Sequence, residues 1–341
     1  MPATPHMTPI QGPDTWKAAD FKEPRTWVEH YTEHEIEEIE QAVQRFTARF
    51  DGFEAITRED VQMPLLQAKL ERIRNEIEGG KGFQVLRGLP VARYTIRQCE
   101  QLFWALSLLV GEPEAQDKSG SRLHSVYNKG KKLTDDHSAR GYETDNELTF
   151  HNDGGDAFML LCIKTAVSGG VSKLVSVNQV FNQILKRAPH LAATLQQPYY
   201  FDARGQHPAG HEVQCVPVFN YFEGKLSALY KRDYLDMAQR FDHVPRLTGD
   251  QIAALDLLDE ICSEPDMQLS FMMEPGDIQI GNNYSIFHSR TKYEDHEKPE
   301  DKRRLLRTWL TLPNGRALPA AFADTREFCH SYRARHAAAT A

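Results

Sequence analysis

GDIQIGNNYSIFHSRTKYEDHEKPEDKRRLLRTWL, residues 276–310, decides how this chain is read. Two strand-like runs, residues 277–287 and 304–312, are joined by a charged loop. A turn leads into the first run, and His288 closes it, at a strand end where a side chain can point across a barrel mouth. Arg303 and Arg307 stand at the start of the second run. They lie four residues apart, an even separation, so a strand puts both on one face. Two inward guanidinium groups require anions, because buried charges are costly without partners. Lys302 and Arg304 read instead as a solvent-facing answer to the acidic loop 294–301.

Far upstream, ELTFHNDGG (residues 147–155) places His151 and Asp153 one residue apart at the end of another extended run. Alone, the triplet says little. Fourteen histidines among 48 acids in 341 residues would meet an acid two positions on about twice by chance. The bland reading is a surface turn in which Asp153 caps a local backbone donor. Joined to His288, however, the pair makes two imidazoles and one carboxylate, the facial triad whose open positions suit non-haem Fe(II) and oxygen chemistry. Gly154-Gly155 follow and allow close backbone approach beside such a site. An arginine about fifteen residues past the second histidine can anchor an anionic co-substrate next to the metal.

Composition sets the outer limits. An apolar content of 40% with 10% aromatics is enough for a sizeable core. A net charge of −8 and a pI near 6.0 argue against non-specific nucleic-acid binding. No apolar run reaches the length of a membrane span, and the Pro- and Thr-rich start MPATPHMTPIQGPDTW lacks a signal-peptide apolar region. Five cysteines are scattered without a C-x-x-C pair, against both a disulfide framework and a zinc-thiolate site. These features predict a soluble, cytoplasmic protein, with neither membrane nor nucleic acid as partner. The oligomeric state stays open.

Residues 1–33 read as an N-terminal arm and residues 34–341 as a single domain, helical over 34–112 with a β-rich core over about 113–328. Ile36, Ile39, Val43, Phe46 and Phe50 recur at helical spacing. Further helices are predicted over 59–78, with Asp60 as cap and Gly79-Gly80 as stop, and over 95–110, 177–187 and 248–263. Short extended runs fall at 82–89, 158–166, 172–177, 214–222, 226–230 and 269–273. Strands with turn signals, without regular β-α alternation, predict an α+β, β-rich fold: a jelly roll braced by helices. The Ala-rich tail after His336 reads as frayed.

With GFQVLRGLP (82–90), FHNDGG (150–155), SGGVS (168–172), GDIQIGNNYSIFHSR (276–290) and RRLLRTWL (303–310) in this order, the chain resembles the taurine-dioxygenase-like, clavaminate-synthase-like Fe(II)/2-oxoglutarate-dependent oxygenases. The resemblance runs from about Gly82 to about Phe328. It implies a double-stranded β-helix with iron at its open end, held by His151, Asp153 and His288. It also implies 2-oxoglutarate as co-substrate with O2, Arg303 on the distal carboxylate, and Ser172, where threonine is more usual, contacting the co-substrate. Arg307 then meets either substrate or co-substrate. The His-to-Arg spacing is about a residue longer than is common in the family, which leaves Arg304 as a fallback for Arg303. The implied activity is hydroxylation of an unactivated C–H of a small, anionic or neutral molecule, with release of succinate and CO2. A carboxylate at position 153, which related halogenases replace with a small residue, argues against halogenation.

Other residues carry weaker signals. The polar stretch 121–147 reads as a lid or a plain surface loop, with Tyr142 or Glu147 reaching the substrate in the first case. Asn282 and Asn283 are expected to brace the strand, and Tyr230, Lys231 and Arg232 to line the entrance or form a solvated turn. His124, His137, His207 and His211 read as solvated. The competing classes are a catalytically silent metal- or metabolite-binding jelly roll and a zinc hydrolase on the same three ligands. The second leaves the arginines unexplained.

Overall fold

Apolar spacing and capping decide where the helices form. The structure, a computed structural model, describes residues 4–130, 143–207 and 209–338. Helix α1 (Glu33–Arg49) starts at a capping box: Thr32 accepts from the Glu35 amide, and the Glu35 carboxylate accepts from the Thr32 amide. Helix α2 (Pro64–Gly79) begins five residues later than the sequence suggests. Pro64 fixes the first helical position, where its missing N–H costs nothing. Asp60 caps a separate 3-10 turn, Arg58–Asp60, together with Thr57. Helix α3 (Ile96–Val110) is capped by Thr95 and Gln98.

Eleven strands build two sheets. They are β1 (Val28–His30), β2 (Phe83–Arg87), β3 (Glu112–Pro113), β4 (Leu123–Val126), β5 (Leu148–His151), β6 (Ala157–Lys164), β7 (Ser172–Ser176), β8 (Leu269–Phe271), β9 (Ile278–Asn282), β10 (Ile286–Arg290) and β11 (Arg304–Thr311). The larger sheet has the order β1-β2-β9-β6-β11-β3, with β4 also on β11, and the smaller has the order β8-β7-β10-β5. Only β1 with β2 is parallel; the other pairs in these sheets are antiparallel. From β4 to β11 the chain passes back and forth between the sheets. Phe83, Val85, Cys162 and Leu305 of the larger sheet share one buried cluster with Leu174, Leu269, Phe271 and Ile286 of the smaller, so the two sheets face each other.

Helices cover the outer faces. Ile39, Leu66, Leu70, Ile73, Leu102 and Leu106 of α1–α3 pack on Met159, Leu161, Ile278, Ile280 and Leu306 of the larger sheet. Helices α4 (Val177–Arg187), α5 (Pro189–Thr194), α6 (Arg232–Ala238) and α7 (Gly249–Ser263) bury their apolar side with Phe150, Val175 and Phe287 of the smaller sheet. Helix α8 (Cys329–Ala338) lies beyond β11 and carries regular structure two residues past His336, where the sequence suggests fraying. The N-terminal segment sends Trp16 and Trp27 into the cluster between the sheets.

Two runs that look continuous in sequence are broken in space. Residues 277–287 form β9 and the start of β10, which belong to different sheets. The Asn282 side chain accepts from the amides of Tyr284 (2.8 Å) and Ser285 (3.1 Å), and this local turn ends β9. His288 therefore sits in the middle of a strand and does not close one. Residues 214–222 likewise split at Val218, pairing with Pro198–Asp202 before it and Lys225–Ala228 after it.

Candidate active site

Antiparallel pairing of β10 with β5 sets His288 directly opposite His151. Their rings are 4.3 Å apart between centroids. Asp153 follows β5, its amide held by the Asn283 side chain at 3.1 Å. Asn152, between the two sequence-predicted residues, is fully buried and bonded at both ends of its amide: Oδ1 accepts from the Tyr230 amide and Nδ2 donates to the Asn283 and Ile286 carbonyls. The loop is therefore clamped while its neighbours point inward. Gly154 is required here, because a Cβ would meet the Trp309 ring at 2.5 Å. Gly155 has φ 72° and would press a Cβ on the Leu310 backbone.

One nitrogen from each imidazole and one carboxylate oxygen of Asp153 lie within 4.8 Å of one another. Their protonation suits cation binding. Burial, then the neighbouring His151, holds the His288 imidazole well below its usual range and therefore neutral. Burial also lowers His151, whose Nδ1 donates to the Thr149 carbonyl at 2.8 Å, leaving Nε2 as a lone-pair donor. His288 Nδ1 has no hydrogen-bond partner among the described residues. Burial pushes the Asp153 carboxyl up, but Arg307 and both imidazoles outweigh it and hold it below the usual carboxylate range. Arg307 Nη1 is 3.1 Å from each Asp153 oxygen, and Arg307 Nε donates to Gln116 at 2.8 Å.

Two chambers share His151, Asp153 and Arg307 in their walls. The inner one, about 50 Å³, is lined by Ser172, His288, Arg290 and Arg303 among others. Arg303 and Arg307 are both buried, and Leu305 between them belongs to the cluster between the sheets, so this face of β11 points inward. Arg304 is half-buried and lies over the Tyr127 ring. Arg290 was not singled out from the sequence, although it stands two residues after His288 and shares its face by strand periodicity. Arg290 and Arg303 both approach the Tyr293 ring, at 4.6 and 5.1 Å. Burial, then the Arg303 charge, brings Arg290 down to about 10.

The outer chamber, about 100 Å³, is lined by Lys231, Tyr234, Trp309 and Arg326 along with His151 and Asp153. Lys231 faces it because its backbone bridges His151. Arg232 lies at the wall but is engaged by Asp236, Asp256 and Asp259. Tyr230 turns away to donate to Asp259 at 2.6 Å. Arg326, Trp309 and Tyr234 carry no local signal in sequence, since distant segments bring them together. Asn283 braces the Gly154-Gly155 loop through their carbonyls, and Asn282 donates to Glu78. Glu147 is exposed, while Tyr142 and His137 lie outside the described residues.

The other histidines have structural partners. His124 Nε2 is 3.1 Å from Asp117. His207, His211 and Asp324 cluster closely enough to suggest a second metal site. Yet His207 Nδ1 accepts from the Ala209 amide and Nε2 donates to the Asp324 carbonyl, so neither nitrogen is left for a metal.

Fold and site together define a class, the mononuclear non-haem iron oxygenases. The chain belongs to the taurine catabolism dioxygenase TauD, TfdA family, whose model matches residues 34–309. It is an Fe(II)/2-oxoglutarate-dependent oxygenase. FR-33289 synthase of Streptomyces rubellomurinus is 28% identical over 322 residues, covering 93% of this chain and 95% of that protein. An asparagine oxygenase solved with Fe(II), 3-hydroxyasparagine and succinate superposes with TM-score 0.65 at 17% identity, covering 83% of this chain and 93% of the other. The non-haem iron oxygenase OrfP, solved with Fe and alpha-ketoglutaric acid, gives TM-score 0.63 at 16% identity with the same coverage.

Proposed function

We propose that this protein hydroxylates an unactivated C–H of a small molecule, and that His151, Asp153 and His288 hold its Fe(II). The observation that carries this reading is the convergence of two neutral imidazoles and one ionised carboxylate on a chamber that also contains a pair of buried arginines. That donor set fits the group: neither histidine must lose a proton to bind, and His288 is buried with Nδ1 unpartnered. Bound together, iron, 2-oxoglutarate and O2 supply the oxidising chemistry, converting co-substrate to succinate and CO2 as a C–H bond is oxidised.

The chain's own residues orient and isolate. Arg303 and Arg290 form the seat for the distal carboxylate, a charge-assisted contact favoured by two buried cations with no carboxylate but Asp153 in the inner chamber wall among the described residues. Arg290 Nη1 and Nη2 donate to the Thr144 and Asn146 carbonyls and fix the guanidinium, while Nε has no hydrogen bond among the described residues. Ser172 stands beside them and adds a hydroxyl. Arg307 holds the Asp153 carboxylate ionised and close to the ring nitrogens. Leu148, Leu160, Val126 and Leu305 close the chamber against water. The neighbours solved with iron and with alpha-ketoglutaric acid or succinate support the choice of metal and co-substrate.

We read β4 to β11 as a double-stranded β-helix, because they alternate between two facing sheets and leave the triad between them. In that frame residues 34–341 act as one oxygenase unit, with a helical part over 34–112 and the jelly-roll core over about 113–328, and residues 1–33 as a tied-down arm. Five unbridged cysteines fit a cytoplasmic setting, and no described helix is long and apolar enough to cross a membrane. No feature of the site favours a silent binder, which would have no need of both triad and arginines.

Anaerobic titration with Fe(II) and 2-oxoglutarate tests the reading through the weak visible absorption of the chelate. The band is expected in the native protein and absent in His151→Ala. Iron bound without any band on adding 2-oxoglutarate would overturn it.

A further inference from the structure

The outer chamber holds more positive charge than the oxygenase reaction itself uses. Lys231 and Arg326 have side chains only 10% and 6% exposed, and both turn toward one carboxylate, Glu327. Lys231 Nζ is 3.2 Å from Glu327 Oε1 and Arg326 Nη1 is 3.5 Å from the same oxygen. The other oxygen of Glu327 accepts from the Gln214 amide at 2.6 Å. Arg326 Nη1 makes no hydrogen bond among the described residues, although its guanidinium is nine-tenths buried. Asp153 is already engaged by Arg307. Three buried cations, Lys231, Arg326 and Arg307, thus face two buried carboxylates, with Asp233 a further, exposed carboxylate in the wall, and iron with a 2-oxoglutarate dianion would leave the imbalance of buried charge unchanged.

Burying unmatched charge is costly, so a chamber of this kind is stable chiefly when an anion fills it. A nearby phenol reports the same field. Burial pushes Tyr234 up, yet Lys231, Arg326 and Arg204 outweigh it and hold the phenol below its usual range. The guanidinium groups of Arg307 and Arg326 lie 5.0 and 5.7 Å from the Trp309 ring, which gives the chamber an apolar wall beside its charge. His151 and Asp153 line the same space. A ligand anchored on Lys231 and Arg326 would therefore present its carbon chain to the metal-binding triad.

We propose that Lys231 and Arg326 form a recognition site for an oxyanion headgroup on the primary substrate, a carboxylate, sulfonate or phosphonate carried on a short carbon chain. This rests on the oxygenase reading above and deepens it: Arg303 and Arg290 serve the co-substrate, while Lys231 and Arg326 select the substrate.

The test is anaerobic binding to the Fe(II)–2-oxoglutarate protein of four matched compounds: butanoate, propanesulfonate, propylphosphonate and butanamide. Perturbation of the visible chelate band reads binding without turnover. At least one anion is expected to bind tenfold or more tightly than the neutral amide, and the ranking of the three identifies the headgroup. Lys231→Met and Arg326→Met should each remove that preference while the affinity for 2-oxoglutarate stays within about twofold. Arg326→Lys, which keeps the charge, should retain part of it and controls for a folding defect. Equal binding of amide and anions, no binding of any anion, or an anion preference that survives both methionine variants would overturn the proposal. Absence of the chelate band itself would instead sink the oxygenase reading beneath it.

Discussion

At the scale of single residues, the division of labour among the arginines is the sharpest consequence of the geometry. Arg303 and Arg290 share the inner chamber and the Tyr293 ring, Arg307 is bound to Asp153, and Arg304 lies over Tyr127. A charge-assisted hydrogen bond is worth about 1.5–3 kcal/mol, which corresponds to roughly ten- to a hundredfold in affinity. Arg303→Met and Arg290→Met are each expected to raise the 2-oxoglutarate requirement by that factor, measured as KM for succinate formation, with Arg304→Met unchanged. A dependence on Arg304 in place of Arg303 would show that the inward face of β11 is misassigned. His151, Asp153 and His288 were legible in sequence because two short motifs carry them, and Arg303 and Arg307 because strand parity pairs them. The same parity links His288 to Arg290, so that signal was present and unused. Lys231 reads from sequence as entrance lining or solvated turn, and a single backbone bridge to His151 decides between them, whereas Arg326, well past the last core strand, left no signal.

At the scale of elements, the positions of breaks were harder to read than the elements themselves. Apolar periodicity finds α1 and α3, but β9 and β10 look like one strand until Asn282 is seen to turn the chain between them. Such a turn depends on a side chain bonding its own backbone, which a hydrophobic pattern does not record. Helix α8 is fastened by an equally nonlocal contact. Glu114, next to β3, is buried and accepts from Ser331 of α8 at 2.6 Å and from Thr311 of β11. Burial outweighs these bonds and pushes its carboxyl up to about 7. An acid raised on folding binds more protons in the native state than in the unfolded one between its ordinary value and pH 7. Stability therefore falls as pH rises across that window, by about 3 kcal/mol for a shift of this size. Glu114→Gln should flatten the dependence between pH 4.5 and 7.5 in urea unfolding. A variant that keeps the full slope would place the titration elsewhere.

At the scale of the whole molecule, the site depends on two sheets staying face to face, and the N-terminal segment helps to hold them. Trp27 is buried against Phe83 of the larger sheet and Phe271 of the smaller, at 6.4 and 5.0 Å between ring centroids. Trp16 adds an edge contact with Phe21 and donates its indole N–H to the Lys81 carbonyl at 2.9 Å. Proline-rich composition suggested an N-terminal arm, because it breaks periodicity, and two isolated tryptophans form no pattern that marks them as core. Their position makes the segment a clasp across the open edge where β1 pairs with β2. Truncating a buried tryptophan costs about 3–5 kcal/mol. Trp27→Ala is expected to lower the unfolding free energy by that amount, read from the denaturant midpoint. His151 and His288 belong to β5 and β10 of the smaller sheet, with Asp153 just after β5, whereas Arg307 belongs to β11 of the larger sheet and Arg303 directly precedes it, so loosening the clasp should act on their separation. In Trp27→Ala the affinity for 2-oxoglutarate should therefore fall along with stability, while iron binding, whose three ligands lie on the smaller sheet and its adjoining loop and meet the larger sheet through Arg307, should fall less. Loss of iron binding with an intact response to 2-oxoglutarate would show that the clasp supports the triad and not the spacing between sheets.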